Sequence, residues 1–94
     1  MHIADIIWLP DILDKLAWKH HVSPEEVVEV LCAHARYRRV QKEHIPGEDL
    51  YAAYGQTEAG RYLIIFFIYK PTQEALIISA RDMDAKERRQ YGRR

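Results

Sequence analysis

The first part of the chain passes from a short apolar stretch into a segment with helical spacing. Residues Asp5 to Leu9 form an apolar stretch that Pro10 stops, which predicts an opening strand. From Asp11 to about His21, apolar residues recur at the spacing of one helical face, which predicts a first helix. The residues of this face are Ile12, Leu13, Leu16 and Ala17.

The start of a second helix is marked by a capping pattern. Ser23 can act as the N-cap, Pro24 suits the first helical position, and Glu26 can complete a capping box. Val22 and Val27 occupy the two positions of a hydrophobic staple around this start. The segment that follows is rich in valine, a poor helix former, so we expect tertiary packing to hold this helix.

After Ala35 the pattern becomes alternating, which predicts an exposed strand. Residues 37, 39 and 41 would lie on one of its faces and residues 38 and 40 on the other. The breaker pair Pro46-Gly47 then predicts a turn over residues 44–48. The later predicted strands are Leu50–Gln56, Arg61–Lys70 and Ala75–Ala80. A short last helix through Tyr91 is predicted to open with a second capping box, in which Asp84 is the cap and Glu87 its partner.

The order strand, two helices, four strands and helix predicts a single α+β domain over residues 1–94. We expect an antiparallel sheet of four to five strands, with the two N-terminal helices packed on it. The runs at 63–68 and 76–78 are apolar without alternation, so both faces of their strands need cover. The C-terminal helix either completes the core on the second face or leaves an apolar patch there for a partner.

Composition and charge exclude several classes of protein. With 94 residues, 48% hydrophobic and 30% charged, the chain is a soluble globule and too short for a two-domain enzyme. The net charge is zero, but residues 1–33 carry −4 and residues 81–94 carry +3. The single Cys32 cannot form an internal disulfide and is expected to be a buried thiol. Without a signal segment or a long apolar run, we expect a cytoplasmic protein.

The chemistry-bearing residues narrow the choice further. The histidines do not follow a zinc-ligand pattern, and phosphate loops and nucleophile elbows are absent, so we expect no metal and no cofactor. What remains is a set of arginines and tyrosines near strand ends and on the last helix. Residue types alone leave open whether this set binds an anion such as phosphate or forms a solvated salt-bridging face. The set is Arg61, Arg81, Arg88, Arg89, Tyr54 and Tyr91.

Five short motifs along the chain resemble the BrnT family of toxins. They are Lys19-His20-His21-Val22-Ser23-Pro24-Glu25-Glu26, Gly47-Glu48, Tyr54-Gly55-Gln56-Thr57 before Gly60-Arg61, Ile77-Ile78-Ser79-Ala80-Arg81 and Glu87-Arg88-Arg89-Gln90-Tyr91. The family has glycine where this chain has His21, a residue type that tolerates positive φ. Two cationic positions of the family are also absent here, one at residues 49–51 and one at Leu76.

The resemblance implies the ribonuclease toxin of a bacterial type II toxin–antitoxin pair, with a compact fold related to RelE toxins. It implies metal-independent RNA cleavage that arrests translation. The expected partners are RNA and a small ribbon-helix-helix antitoxin that forms a hetero-oligomer with the toxin and represses the operon. DNA would be bound only indirectly, through the antitoxin, and no membrane is expected.

Site roles follow from the same resemblance. His20 would transfer a proton, and Arg61, Arg81 and Arg88 would stabilise charge in the reaction. Tyr91 completes the expected catalytic set, and the expected substrate-binding residues are Trp8, Lys19, Tyr54 and Arg89. Trp8 could instead pack in the core, and His20 could merely end a helix. The alternative functions are a non-catalytic antitoxin-binding module that takes part in operon autoregulation and a structural subunit.

Overall fold

The computed structural model describes residues 1–41 and 49–92. Over these residues the chain forms a five-stranded sheet with helices on both faces, in the predicted order of elements. The turn predicted at 44–48 lies outside the described residues. The elements are β1 (Asp5–Ile7), α1 (Pro10–Lys15) with a π turn (Leu16–His20), α2 (Pro24–Cys32), β2 (Arg36–Gln41), β3 (Leu50–Gln56), β4 (Tyr62–Tyr69), β5 (Glu74–Asp82) and α3 (Ala85–Gly92).

The sheet has the strand order β1-β5-β4-β3-β2, and the predicted α+β fold class is confirmed. Strands β2 to β5 pair antiparallel, as expected for strands joined by short connections. Strand β1 pairs in parallel with β5, so the sheet is mixed rather than purely antiparallel. The long connection through the helices and the hairpins allows this parallel return.

Local signals place the helix starts where the sequence predicts them. The Ser23 hydroxyl accepts from the Glu26 N–H over 3.2 Å, and the Ser23 N–H donates to Glu26 Oε1 over 3.0 Å. At α3 the Glu87 N–H donates to Asp84 Oδ1 over 2.8 Å, and the Asp84 N–H donates to Glu87 Oε1 over 2.9 Å. Both predicted capping boxes are confirmed. His21 has the predicted positive φ, 53°.

The first face of the sheet carries the main core beneath α1, the π turn and α2. Gly55 of β3 lies directly under Val30 of α2, and a Cβ added there would come within 2.8 Å of Val30 Cγ1. The glycine therefore sets how closely the helix approaches the sheet. The buried side chains of this core are Leu16, Val22, Val27, Val30, Leu31, Ala53, Leu63, Ile65, Phe67, Ala75, Ile77 and Ala80.

The second face has a smaller core, which α3 covers in part. Ala52, Ile64 and Met83 are buried there, and Tyr91 of α3 packs against them. A β-bulge in β5 inserts Ile78 between Ile77, the partner of Phe67, and Ser79, the partner of Phe66. The bulge therefore changes which later residues of β5 face each side of the sheet. Because of this bulge, Ala80 lies in the first core and Arg81 lies on the second face, opposite Ile64.

The expectation of a buried thiol at Cys32 is wrong. Cys32 is the last residue of α2, and its side chain is exposed. The buried stripe of α2 consists of Val27, Val30 and Leu31, and a residue directly after Leu31 points about 100° away from it. Within the part of the chain described, no helix is long and apolar enough to cross a membrane.

Candidate functional site

The second face of the sheet carries arginines that lie over aromatic rings. Among the described residues, four such pairs occur, and all of them lie on this face or on α3 above it. The distances from guanidinium carbon to ring centroid run from 4.3 to 5.8 Å. Flat cations on flat rings form a surface on which nucleobases can stack. The pairs are Arg36 with Tyr91, Arg38 with Tyr54, Arg81 with Phe66 and Arg88 with Tyr62.

Arg81 sits near the end of β5, and its guanidinium is held by Glu87 of α3. Nη1 donates to Glu87 Oε1 over 2.7 Å and Nη2 donates to Oε2 over 2.9 Å, a bidentate pair. Nη1 also donates to the carbonyl oxygen of Asp82 over 3.1 Å. The hydrogen bonds between the two side chains raise the pKa of Arg81 and lower the pKa of Glu87 from their ordinary values. The guanidinium fork is therefore fixed in direction, and the anion that it binds is the Glu87 carboxylate.

Arg38 and Tyr54 lie beside this ion pair on the second face. Together with Gln90 they line a groove of about 170 Å³ between β2, β3 and α3. The Arg81 hydrogen bond is the main cause of the low pKa of Glu87, and the positive charge of Arg38 lowers it further. Arg38 and Arg81 thus act on the same carboxylate from two strands of the sheet.

Arg88, Arg89 and Tyr91 all belong to α3. With Tyr62 and the end of the β3–β4 hairpin they line a second groove, of about 430 Å³. The ring of Tyr91 meets the ring of Tyr62 edge to face, with centroids 6.0 Å apart. These three predicted site residues therefore line a groove other than that of Arg38 and Tyr54, although the Tyr91 ring also lies under Arg36, which lines the first groove.

His20 ends the π turn on the first face. It lies near residues 77–82 of β5, which extend past the end of β1 and are called the β5 edge here; Arg81 belongs to this edge. Burial lowers the pKa of its imidazole below the ordinary 6.5, and the charges of Lys19, Arg81 and Lys15 lower it further. The nearby carboxylate of Asp82 has the opposite, smaller effect. The lowered pKa favours the neutral form of the His20 imidazole, and the exposed Lys19 precedes His20 in the chain.

Arg61 makes contacts only of a structural kind among those the structure describes. Its Nη1 and Nη2 donate to the carbonyl oxygens of His21 and His20 over 2.6 and 2.9 Å. Nη1 also lies 3.2 Å from both carboxylate oxygens of Glu26. Nε and Nη2 donate to Asp82 over 2.7 and 3.1 Å. Arg61 therefore clamps the end of the π turn, the start of α2 and the end of β5 together.

Trp8 lies on the first face, away from the arginines of the second face. It is half-buried and packs against the main core. It also lines a cleft of about 690 Å³ between the N-terminal segment and the end of α2. The structure therefore places Arg81 and Tyr54 on the second face, leaves His20 on the first face within reach of the charge of Arg81, and puts Trp8 elsewhere.

The sequence-based site prediction missed five residues of the arginine–aromatic pairs and of the Arg81 ion pair: Arg36, Arg38, Tyr62, Phe66 and Glu87. The alternation in β2 already separated Arg38 from Tyr37, and the capping pattern already marked Glu87, but neither signal shows which side chains they meet. Across residues 1–41 and 49–92, no three His, Cys, Asp or Glu side chains group as a metal site requires.

Comparison with known proteins is consistent with these features. A family model described as the ribonuclease toxin BrnT of type II toxin-antitoxin systems matches residues 13–87. This range runs from α1 through the π turn to Glu87 in α3, so it includes both His20 and Arg81. No curated protein matches the chain. The chain belongs to the BrnT family, the ribonuclease toxins of type II toxin–antitoxin systems.

Proposed function

We propose that this protein cleaves single-stranded RNA without a metal, at the second face of the sheet and the adjoining β5 edge, and thereby arrests translation. The observation that carries the proposal is the set of arginine–aromatic pairs on that face. Guanidinium groups hold phosphates, and rings and guanidinium planes stack with unpaired bases. RNA offers both chemical groups along one strand.

The expected chemistry is an attack by the ribose 2′ oxygen on the adjacent phosphorus. A bond from the 2′ oxygen to phosphorus forms and the bond to the 5′ oxygen breaks, which leaves a cyclic phosphate and a 5′-hydroxyl end. His20 accepts the proton of the 2′-hydroxyl, and the low pKa of its imidazole favours the neutral form that this step needs. The departing 5′ oxygen takes a proton from solvent water.

Arg81 stabilises the negative charge that builds up on the phosphorane, because its position on β5 and its hydrogen bond to the Asp82 carbonyl hold its guanidinium in place. Tyr54 offers a ring for base stacking next to Arg81. Lys19, which precedes His20 in the chain, attracts the RNA backbone there. Arg88, Arg89 and Tyr91 extend the contact along the groove that they line with Tyr62.

Arg61 and Trp8 take other roles in this proposal. Arg61 acts as a positioning residue, because it holds the carbonyl oxygens of His20 and His21. Trp8 packs against the main core. Neither Arg61 nor Trp8 belongs to the arginine–aromatic pairs, so the proposal gives these two residues no contact with RNA.

The cognate antitoxin is expected to be a ribbon-helix-helix protein that neutralises the toxin by covering this surface in a cytoplasmic hetero-oligomer. Segment 81–94 carries a net charge of +3, and its helix leaves aromatic rings half-exposed on the second face. An acidic and apolar antitoxin segment is complementary to such a surface. In this arrangement DNA contacts come from the antitoxin alone.

The test of the proposal is the Arg81→Ala variant. Loss of a fixed guanidinium that acts on the transition state costs about 2–4 kcal/mol of barrier, so cleavage should fall roughly 30- to 1000-fold. Arg81→Lys keeps the charge without the fork and should recover only part of the rate. RNA cleavage and growth are followed after expression without antitoxin, and circular dichroism with antitoxin capture shows that each variant is folded.

The matched control is Arg39→Ala, which removes an arginine that lies on the opposite face of β2 and pairs with Asp49 at 3.8 Å. It should cleave as the wild type does. A folded Arg81→Ala protein as toxic as the wild type would refute the assignment of Arg81.

A second candidate function is a non-catalytic module that binds the antitoxin and regulates the operon. It is favoured by the occupied fork of Arg81, which Glu87 neutralises in the free chain. Expression without antitoxin separates the two functions. A ribonuclease stops growth and shortens transcripts, whereas a binding module does neither.

A further inference from the structure

The carboxylate of Glu87 occupies a position with the donors that a phosphate group requires. Its Oε1 accepts from Arg81 Nη1 and from the Asp84 N–H, and its Oε2 accepts from Arg81 Nη2. Two parallel guanidinium donors and a backbone N–H at a helix start are the arrangement that holds phosphate oxygens in proteins. The charge of Arg38 acts on the same carboxylate.

The donors would stay in place if the Glu87 carboxylate swung away. Arg81 remains over the ring of Phe66 at 5.7 Å and keeps its hydrogen bond to the Asp82 carbonyl. The start of α3 remains capped, because the Glu87 N–H donates to Asp84 Oδ1 through the backbone and not through the carboxylate. The exchange therefore needs only rotation of one side chain.

The site is also accessible to a ligand. The side chain of Arg81 is 37% exposed, and that of Glu87 is 17% exposed. The groove lined by Arg38 and Tyr54 lies near the ion pair, because Arg38 acts on the charge of Glu87 and Tyr54 on that of Arg81.

We propose that the Glu87 carboxylate marks a phosphate subsite between Arg81 and Arg38, and that a phosphate of bound RNA displaces the carboxylate from the fork of Arg81. This proposal rests on the proposed ribonuclease function. It adds two residues to the site, Arg38 as a phosphate ligand and Glu87 as an internal competitor that positions Arg81 in the free chain. A competitor that fills the site in the free protein weakens the apparent affinity of the ligand.

The chain itself supplies a matched pair of variants, because it has two capping boxes whose glutamates both bind an arginine. Glu87→Gln removes the competing charge and keeps a side chain that can complete the capping box. Glu26→Gln makes the same change at the box of α2, where the partner is Arg61. The probe is a short single-stranded RNA that is fully 2′-O-methylated and so cannot be cleaved, with binding followed by fluorescence anisotropy.

Glu87→Gln is expected to bind this RNA roughly three- to tenfold more tightly than the wild type, the effect of removing one partly exposed competing charge. Glu26→Gln is expected to bind it with unchanged affinity. Equal binding by the wild type and Glu87→Gln, or weaker binding by a folded Glu87→Gln, overturns the subsite alone. Failure of all three proteins to bind the RNA overturns both the subsite and the proposed function.

A second pair of variants tests the subsite independently of the capping box. Arg38→Gln should weaken RNA binding roughly three- to tenfold and reduce its salt dependence, because one phosphate contact is lost. Arg39→Gln, on the opposite face of the same strand, should bind as the wild type does. If the two variants bind RNA equally, Arg38 is not a phosphate ligand and the subsite is refuted.

Discussion

Replacing Arg61 by alanine removes the guanidinium that joins three elements of the fold. In the wild type this group binds Glu26 at the start of α2, Asp82 at the end of β5, and the carbonyl oxygens of His20 and His21. The carbonyl groups at the end of a helical turn have no partner within the turn, and a cation there is also favoured by the helix dipole. We expect a marked loss of stability.

The magnitude follows from the exposure of each partner. The side chains of Arg61 and Glu26 are only 26% and 25% exposed, so their charge-assisted contact is expected to contribute about 1–2 kcal/mol. Asp82 is 61% exposed, and its contact is expected to add less than about 1 kcal/mol. The two carbonyl contacts add about 0.5–1 kcal/mol in total, because water can replace the lost donors in part. The sum is about 3 kcal/mol, or a fall in Tm of about 12–24 °C for a domain of this size.

Urea unfolding followed by circular dichroism measures this change. The control is Arg39→Ala, because Arg39 is 53% exposed and lies 3.8 Å from Asp49, so its loss should cost less than about 1 kcal/mol. A loss of stability in Arg61→Ala no larger than that of the control would refute the reasoning. Below its unfolding transition, Arg61→Ala should still cleave RNA, but more slowly than the wild type, because the end of the turn that carries His20 is held less firmly. Complete loss of cleavage by the folded variant would show instead that Arg61 takes part in the chemistry.

Two further predictions concern the stability of the fold. Gly55→Ala places a Cβ 2.8 Å from Val30 Cγ1, so α2 must shift. Urea unfolding should show that the free energy of unfolding falls by about 1–3 kcal/mol, whereas an unchanged midpoint would show that the helix moves freely. The Arg61 hydrogen bond lowers the pKa of Asp82 from its ordinary 3.8, and at Glu26 the bonds from Ser23 and Arg61 outweigh burial and lower the pKa from 4.5. The free energy that these two carboxylates contribute to folding is fully present above their ordinary pKa values and is lost as the pH falls through the lowered ones. A Tm that stays constant from pH 5 down to about pH 2 would therefore contradict both ion pairs.

The sequence by itself determined the features that depend on neighbouring residues. The capping boxes at Ser23 and Asp84 need only residues three positions apart, and both form as predicted. The strand Leu50–Gln56 was predicted with its observed bounds, because turn-forming residues flank a run that suits a strand. The order of the elements and the α+β class follow from the same local patterns.

Long-range packing decided which of these residues share a surface. The alternation in β2 predicted that Arg38 and Tyr37 face opposite sides, but the pairing of Arg38 with Ala52 places it on the second face. Trp8 lies away from the arginines of that face because β1 pairs in parallel with β5 and packs against the main core. Neither the pairing of β2 with β3 nor that of β1 with β5 can be predicted from the local sequence of the strands themselves.

The two strand-end arginines show the difference most clearly. Both are expected site residues from the same kind of position, yet Arg61 binds Asp82 while Arg81 faces the aromatic rings of the second face. Strict alternation from the buried Ile77 would place Arg81 on the first face. The bulge at Ile78 reverses this, because one extra residue in a strand moves every later side chain to the other side of the sheet. That bulge arises from the register of β5 against β4, which only the tertiary structure decides.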